Sequence, residues 1–197
     1  MHDVVNIVEL LARRAYIEYC MGMRNIGNLP TLTKINVFRG LFRNAEILGS
    51  TAECIAYDAM SSATAYAPTP SGSISLSCPD SLKPTDLQRS TKHNPWIDLF
   101  PLPRMRDNCI FAFHGPDPLD NDDLRSDVLE VGLDAPSAAD MQLLVWGNPW
   151  DPRNWEVSEA FVKKWGMLLR GCDEILQSTN YWRQMRGEKK LAIEYSA

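Results

Sequence analysis

Apolar residues recur every three or four positions between residues 30 and 48. They are Leu32, Ile35, Phe38, Leu41, Phe42, Ala45 and Leu48, with Lys34, Arg39, Arg43 and Glu46 between them. That spacing predicts an amphipathic helix that starts at Pro30 or Thr31, since Pro suits a first turn, and stops at Gly49. Gly40 in its interior costs roughly 1 kcal/mol relative to Ala, so another backbone is expected to pack closely there. Asn36 and Asn44 are expected to be exposed or bonded to neighbouring loops. Upstream, Val4, Ile7, Val8, Leu11, Ala15 and Tyr19 lie along one side of a helix predicted over 3–21, with Asp3 as its cap. A short helix is predicted over 52–60. Residues 61–83 are rich in Ser, Thr, Pro and Ala and poor in core-forming side chains, which predicts a surface linker.

Proline governs the next stretch. Asn94-Pro95, Phe100-Pro101 and Leu102-Pro103 rule out a regular helix up to Pro103, because the residue before a proline is pushed out of the helical region. Trp96, Ile97, Leu99 and Phe100 must still go inside, while Asp98 is expected to cap a turn or pair with Arg104 or Arg106. From Pro103 a helix is predicted through Met105, Cys109, Ile110 and Phe113 to Gly115. Another is predicted over 120–131. Residues 141–146 read as a short extended piece, too solitary for a sheet.

Residues 144–186 hold five of the six tryptophans: Trp146, Trp150, Trp155, Trp165 and Trp182. Large aromatics bury more apolar area than other side chains, so the core is expected to concentrate here. Asn148-Pro149 and Asp151-Pro152 mark tight turns. Asn154 or Ser158 can cap a helix with Val157, Phe161, Trp165, Leu168 and Leu169 at helical spacing and Gly171 as its stop. A last helix is predicted over 173–185, with Ile175, Leu176, Thr179 and Trp182 inward and Gly187 closing it. The fold class is mainly α: an irregular helical domain with long turns pinned by Pro and Trp and little or no sheet. Its parts are N-terminal helices over 1–60, the linker over 61–83, the Trp-rich core over 84–190, and a tail over 191–197.

Composition changes this picture only at the margins. A chain of 197 residues with 45% apolar content and 23% charge suits one globular domain. No run is long and apolar enough for a membrane span, and His2 and Asp3 stand where a signal peptide is basic, so the chain is not expected to be secreted. The net charge of −5 argues against a free-standing binder of nucleic-acid phosphates. It is unevenly spread. Residues 115–140 carry eight acids against one arginine, a local −7, and residues 163–190 carry +4. That basic stretch, with Arg183 and Arg186, is expected to meet either an acidic partner or the chain's own acidic loop.

Candidate chemistry is thin. Cys20, Cys54, Cys78, Cys109 and Cys172 form no CxxC pair and read as buried reduced thiols, so no metal and no cofactor is expected. His93 and Asp98 with nearby Ser90 or Thr91 evoke a hydrolase triad, but no nucleophile elbow or Gly-rich oxyanion loop accompanies them. A histidine bonded to backbone in a packed turn is the preferred reading. Asp151 and Glu156 sit at helix starts, where acids favour the dipole. Asp120, Asp122 and Asp123 lack the Gly and distal Glu of a calcium loop. Arg104 and Arg106, near Trp96 and Asp107, are guanidinium groups able to clamp a carboxylate or phosphate, or to tie the Trp96 turn to the Trp150 turn internally. A catalytic role is not expected.

Several blocks carry a family resemblance. They are Trp146-Gly-x-Pro-Trp-Asp-Pro, Trp155-Glu-Val-Ser, Lys164-Trp-Gly, and Ser178-Thr-Asn-Tyr-Trp-Arg with Arg186-Gly-Glu. Upstream come Asn36-Val-Phe-Arg-Gly-Leu-Phe, Pro84-Thr-x-Leu-Gln-Arg and His93-x-Pro-Trp-Ile-Asp-Leu-Phe-Pro. Together, over roughly residues 25–190, they resemble the uncharacterised domain found C-terminal to the zipper in fungal bZIP-type transcription factors. Met167, Asn148 and Gly40 depart from the commonest residues of that family. The resemblance marks His93, Pro95, Asp98, Asp107, Trp146, Asp151, Trp155, Glu156, Trp165 and Trp182 as structural-motif positions. It implies a nuclear, non-enzymatic role in transcription regulation with protein partners, among them other transcription factors. Without the resemblance the chain reads as cytoplasmic.

No basic region precedes the first predicted helix, and the heptad begun at Val4 breaks at Arg14. Direct DNA binding by this chain alone is therefore not expected. The chain is expected to be either a domain encoded by itself or part of a longer factor. The alternative function is a small-molecule sensor whose pocket lies near Trp96, Arg104 and Trp150, with Arg104 or Arg106 fixing a polar group. On these readings the candidate ligand- or partner-binding residues are Trp96, Arg104, Arg106, Trp150, Arg183 and Arg186.

Overall fold

The computed structural model describes residues 29–50, 78–129 and 142–192. The predicted helices at 3–21 and 52–60, residues 61–77 of the linker, and residues 130–141 and 193–197 lie outside the described residues. Within them the protein is mainly α, with one two-stranded antiparallel sheet.

Helix α1, Leu29–Ile47, follows the predicted pattern. It carries Pro30 in its first turn and ends where Gly49 takes φ +67° and the Ser50 N–H reaches the Ala45 carbonyl at 2.9 Å. Only glycine adopts that conformation without strain. Ile35, Val37, Leu41 and Ala45 are buried. Gly40 does mark a close approach, made by side chains rather than backbone. A Cβ there would lie 3.1 Å from Pro149 Cβ and 3.7 Å from the Val145 methyls. Of the two asparagines, Asn36 is exposed, and Asn44 is fully buried and bonded to two turns.

Residues 78–83, placed in the linker by their composition, are packed. Asp80–Leu82 forms a 3-10 turn with Leu82 buried. Helix α2, Asp86–Ser90, starts at a capping box in which Thr85 and Gln88 satisfy each other's backbone N–H groups. A 3-10 turn over Pro95–Leu99 then inserts Trp96, Ile97 and Leu99 into the core, with Asn94 as cap and Pro95 at its first position. Helix α3, Pro103–His114, begins at the predicted proline. Helix α4, Asn121–Leu129, lies within the predicted 120–131.

The sheet corrects the expectation of a solitary extended piece. β1, Leu143–Val145, pairs with β2, Trp155–Val157, in the register Leu143↔Val157, Leu144↔Glu156 and Val145↔Trp155. Val157 therefore belongs to a strand, not to the next helix. Its four-residue spacing to Phe161 imitates a helix, but the Ser158 hydroxyl caps helix α5, Glu159–Trp165, one residue later. A 3-10 turn, Gly166–Leu169, and Gly171 at φ +72° lead into helix α6, Asp173–Met185. α6 closes the free edge of β2 with hydroxyls: the Val157 N–H donates to Thr179 Oγ1 at 3.1 Å, and Ser178 Oγ donates to the Trp155 carbonyl at 2.5 Å. An unpaired strand edge is thereby satisfied without a third strand.

One core joins these elements. Phe100 sits edge-on to Trp96 at 5.4 Å and to Trp155 at 6.1 Å. The indole N–H groups fasten the periphery: Trp96 to Asn121 Oδ1 at 3.1 Å, Trp155 to the Pro149 carbonyl at 2.8 Å, and Trp165 to Asp127 Oδ2 at 2.7 Å. Asn44 completes the ties by donating to the Leu99 carbonyl at 2.8 Å and the Pro149 carbonyl at 3.0 Å. Removing its amide strands two buried acceptors, each costing about 1–3 kcal/mol. We expect Asn44→Ala to lower stability by about 2–4 kcal/mol in urea unfolding, and Asn44→Asp, which keeps the shape without the donors, to lower it at least as much. An unchanged midpoint would remove this tie from the account.

Candidate functional site

The groups the sequence offers for chemistry are assembled in one buried network. Arg106, on the inner face of α3, is fully buried. Its Nη1 donates to the carbonyls of Phe100 at 2.7 Å and Ser81 at 2.8 Å, its Nη2 to Lys83 at 2.6 Å, and its Nε to Gln88 Oε1 at 3.0 Å. Gln88 Nε2 in turn donates to Asp98 Oδ1, which His93 Nε2 approaches at 2.8 Å. Thr85 Oγ1 donates to Asp107 Oδ1 at 2.5 Å, and Ser81 Oγ donates to the Trp150 carbonyl. Asp98 thus pairs with His93 and Gln88 rather than with Arg104 or Arg106.

The histidine has both ring nitrogens engaged, Nδ1 lying 2.6 Å from the Thr91 carbonyl. Both of its partners are acceptors, so the arrangement is complete when the ring is a doubly protonated imidazolium. Burial opposes that charge, but the bond and attraction to Asp98 and the Thr91 carbonyl outweigh it and hold the pKa above its ordinary value. Ser90 Oγ is turned back onto the carbonyls of Asp86 at 2.9 Å and Leu87 at 3.2 Å, so it does not meet the ring. The buried thiols of Cys78, Cys109 and Cys172 are free. Burial pushes all three pKa values up, that of Cys172 to about 12, which keeps them protonated and unreactive. No cluster of metal-ligating side chains occurs among the described residues.

The contacts around Trp96, Arg104, Arg106 and Trp150 run mostly inward. Trp96 is filled in by the core, Arg106 spends its donors on protein oxygens, and Trp150 is joined to Arg106 internally through Ser81. Arg104 is exposed and lies beside Gly171. The internal tie between the Trp96 and Trp150 turns is what the structure contains.

Arg183 and Arg186 converge elsewhere, on the open side of the hairpin and α6. Arg186 grips buried Glu156 with both terminal nitrogens, at 2.6 and 2.9 Å, and reaches Glu188 through Nε at 2.7 Å. These two carboxylates hold the guanidinium charged. Glu156 also accepts the Trp146 indole N–H at 2.8 Å, so it is a ligand of side chains and not a helix-start acid. Trp146 and Trp182 stack at 5.2 Å with 21° between their planes, and Tyr181 stands edge-on to Trp182 at 5.2 Å. Arg186 lies over the Trp146 ring. Trp146 is 43% exposed, Tyr181 55% and Met185 67%. Asp151 is the cap of the Pro152–Asn154 turn and pairs with Arg153. The basic stretch meets the acidic one where Lys164 and Trp165 share Asp127; Arg183 pairs instead with Glu159 and Glu188.

The family described as a domain of unknown function, DUF3425, matches residues 61–177, more than half of the chain. The chain belongs to this family. No curated protein and no solved structure matches it. The DUF3425 match takes in the Arg106 network, the hairpin and the start of α6. The stretch α1, Leu29–Ile47, precedes it, and Tyr181, Trp182, Met185 and Arg186 follow it. No helix among the described residues is long and apolar enough to cross a membrane.

The His93 contacts fix the sign of a pH effect. A pKa raised on folding adds stability that is complete below the ordinary value of 6.5 and is lost as pH climbs through the higher folded value. Stability measured by denaturant unfolding is therefore expected to fall from pH 6 toward alkaline pH, and His93→Gln is expected to flatten that part of the profile. A wild-type curve that rises over this interval would contradict the imidazolium assignment.

Proposed function

We propose that this DUF3425 chain is a non-enzymatic regulatory and protein-interaction domain, acting in transcription in the manner of the C-terminal part of fungal bZIP-type factors. The polar groups that would suit catalysis or ligand capture are consumed in building the core: His93 and Asp98 hold each other, and Arg106 holds Gln88 and the backbone. The observation that carries the reading is the exposed ring stack of Trp146, Trp182 and Tyr181, with Met185 beside it. Monomeric proteins seldom leave large aromatics clustered in water unless another molecule covers them. A nuclear location and other transcription factors as partners belong to this proposal through the family resemblance.

DNA contact is left to a partner, or to another segment, in this reading. A net charge of −5, with Arg153, Arg183 and Arg186 paired to carboxylates, disfavours binding to phosphates. Two measurements test the role. Fused to an unrelated DNA-binding module in yeast, the chain is expected to change output of a reporter well beyond that of the module alone. Gel-shift assays with random duplex at physiological salt are expected to show no complex. A silent reporter, or a clear shifted band, would contradict the proposal.

A further inference from the structure

The ring surface on α6 and the hairpin is specific enough to define its occupant, and this inference rests on the protein-interaction reading above. We propose that it docks a short amphipathic helix of another protein, apolar along one side and without a dominant charge. Three observations lead there. First, the arginines that frame the rings are paired with carboxylates within the chain. Arg186 is neutralised by Glu156 and Glu188, Arg183 by Glu159, and Arg153 by Asp151. Such a rim neither attracts nor repels strongly, so an acidic peptide or a phosphate backbone gains little on it.

Second, the indole donors are spent. Trp146 Nε1 is held by Glu156 at 2.8 Å and Trp182 Nε1 by the Arg153 carbonyl at 2.9 Å. A proline-rich or extended peptide needs outside donors for its bare carbonyls, and these rings supply none. A helix satisfies its own backbone and asks only for apolar contact. Third, the area is small. Trp146, Tyr181 and Met185, at 43%, 55% and 67% exposure, together with the less exposed Trp182 offer roughly 400–500 Å², against roughly 800 Å² per partner for a stable dimer. A second copy would need much more than this patch, whereas two turns of a partner helix match it. Tyr181 and Met185, four residues apart on α6, form one ridge, and the Trp146 ring stacks on Trp182 of the same helix.

Selection from a random-peptide display library with the whole chain, subtracted against Tyr181→Glu/Met185→Lys, tests the assignment. Both positions are exposed, so the variant is expected to melt like wild type, and Met185→Lys alone replaces it if it does not. Peptides that survive are expected to carry apolar residues at i, i+3, i+4 and i+7 and to gain helical circular dichroism on binding. The double variant is expected to weaken binding more than about tenfold. Affinity is expected to vary less than about twofold between about 50 and about 200 mM salt, where a phosphate-bound complex would lose orders of magnitude. Enriched peptides that are proline-rich or acidic, binding of single-stranded poly-dT at this surface, or dimerisation abolished by the double variant would each overturn the helix assignment. Peptides that bind wild type and variant equally would overturn this surface but leave the protein-interaction role standing. Selection of no peptide at all would remove both.

Discussion

The fold depends on one buried cation. A guanidinium taken out of water loses several kcal/mol of hydration, and it is tolerated only if nearly every N–H finds an acceptor. Arg106 meets that demand with the carbonyls of Ser81, Lys83 and Phe100 and with Gln88 Oε1. The acceptors come from three separate stretches of chain. Arg106 therefore decides where the 3-10 turn at Asp80–Leu82, the start of α2 and the end of the Pro95–Leu99 turn lie relative to α3. Gln88 extends its reach to Asp98 and His93. That the arm before α2 packs at all follows from this requirement more than from its composition.

The tryptophans divide by depth, and the division separates folding from function. Trp96, Trp155 and Trp165 are buried, the N–H groups of Trp96 and Trp165 fixed to α4 and that of Trp155 to the Pro149 turn. Trp146 and Trp182 are stacked on each other at the surface, where their mutual contact and Glu156 hold them in place. The same buried Glu156 that receives Arg186 thus orients the Trp146 ring of the proposed docking surface. A rigid, pre-positioned ring loses little conformational freedom when a partner arrives, which is why such residues dominate binding energy at interfaces.

Legibility followed the range of the interactions. α1, α3 and α6 were readable because their ends are written locally: Pro30 and Gly49, Pro103, Gly171 and Gly187. The burial of Trp96, Ile97, Leu99 and Phe100 was readable because a proline-bounded apolar cluster has nowhere else to go. The hairpin was not, because β1 and β2 are three residues each and are separated by a proline-bearing loop longer than a hairpin turn, so no local pattern announces the pairing. Arg106 left two readings open for a related reason. An arginine near an indole suggests a ligand clamp until the carbonyls of Ser81 and Lys83, more than twenty residues upstream, are seen to fill it. Trp146, Trp182 and Arg186 stood out individually, but that they share an open surface is a property of the fold alone.

The central claim is that Arg106 organises the arm and turns around it, and hydrogen exchange reads this directly. In Arg106→Met, which keeps the length and removes the donors, the amides of Leu82, Arg89, Thr91, Ile97 and Phe100 are expected to exchange about a hundredfold faster, a local loss of about 2–3 kcal/mol, while amides of α6 change much less. Unaltered exchange at those five amides would contradict the account.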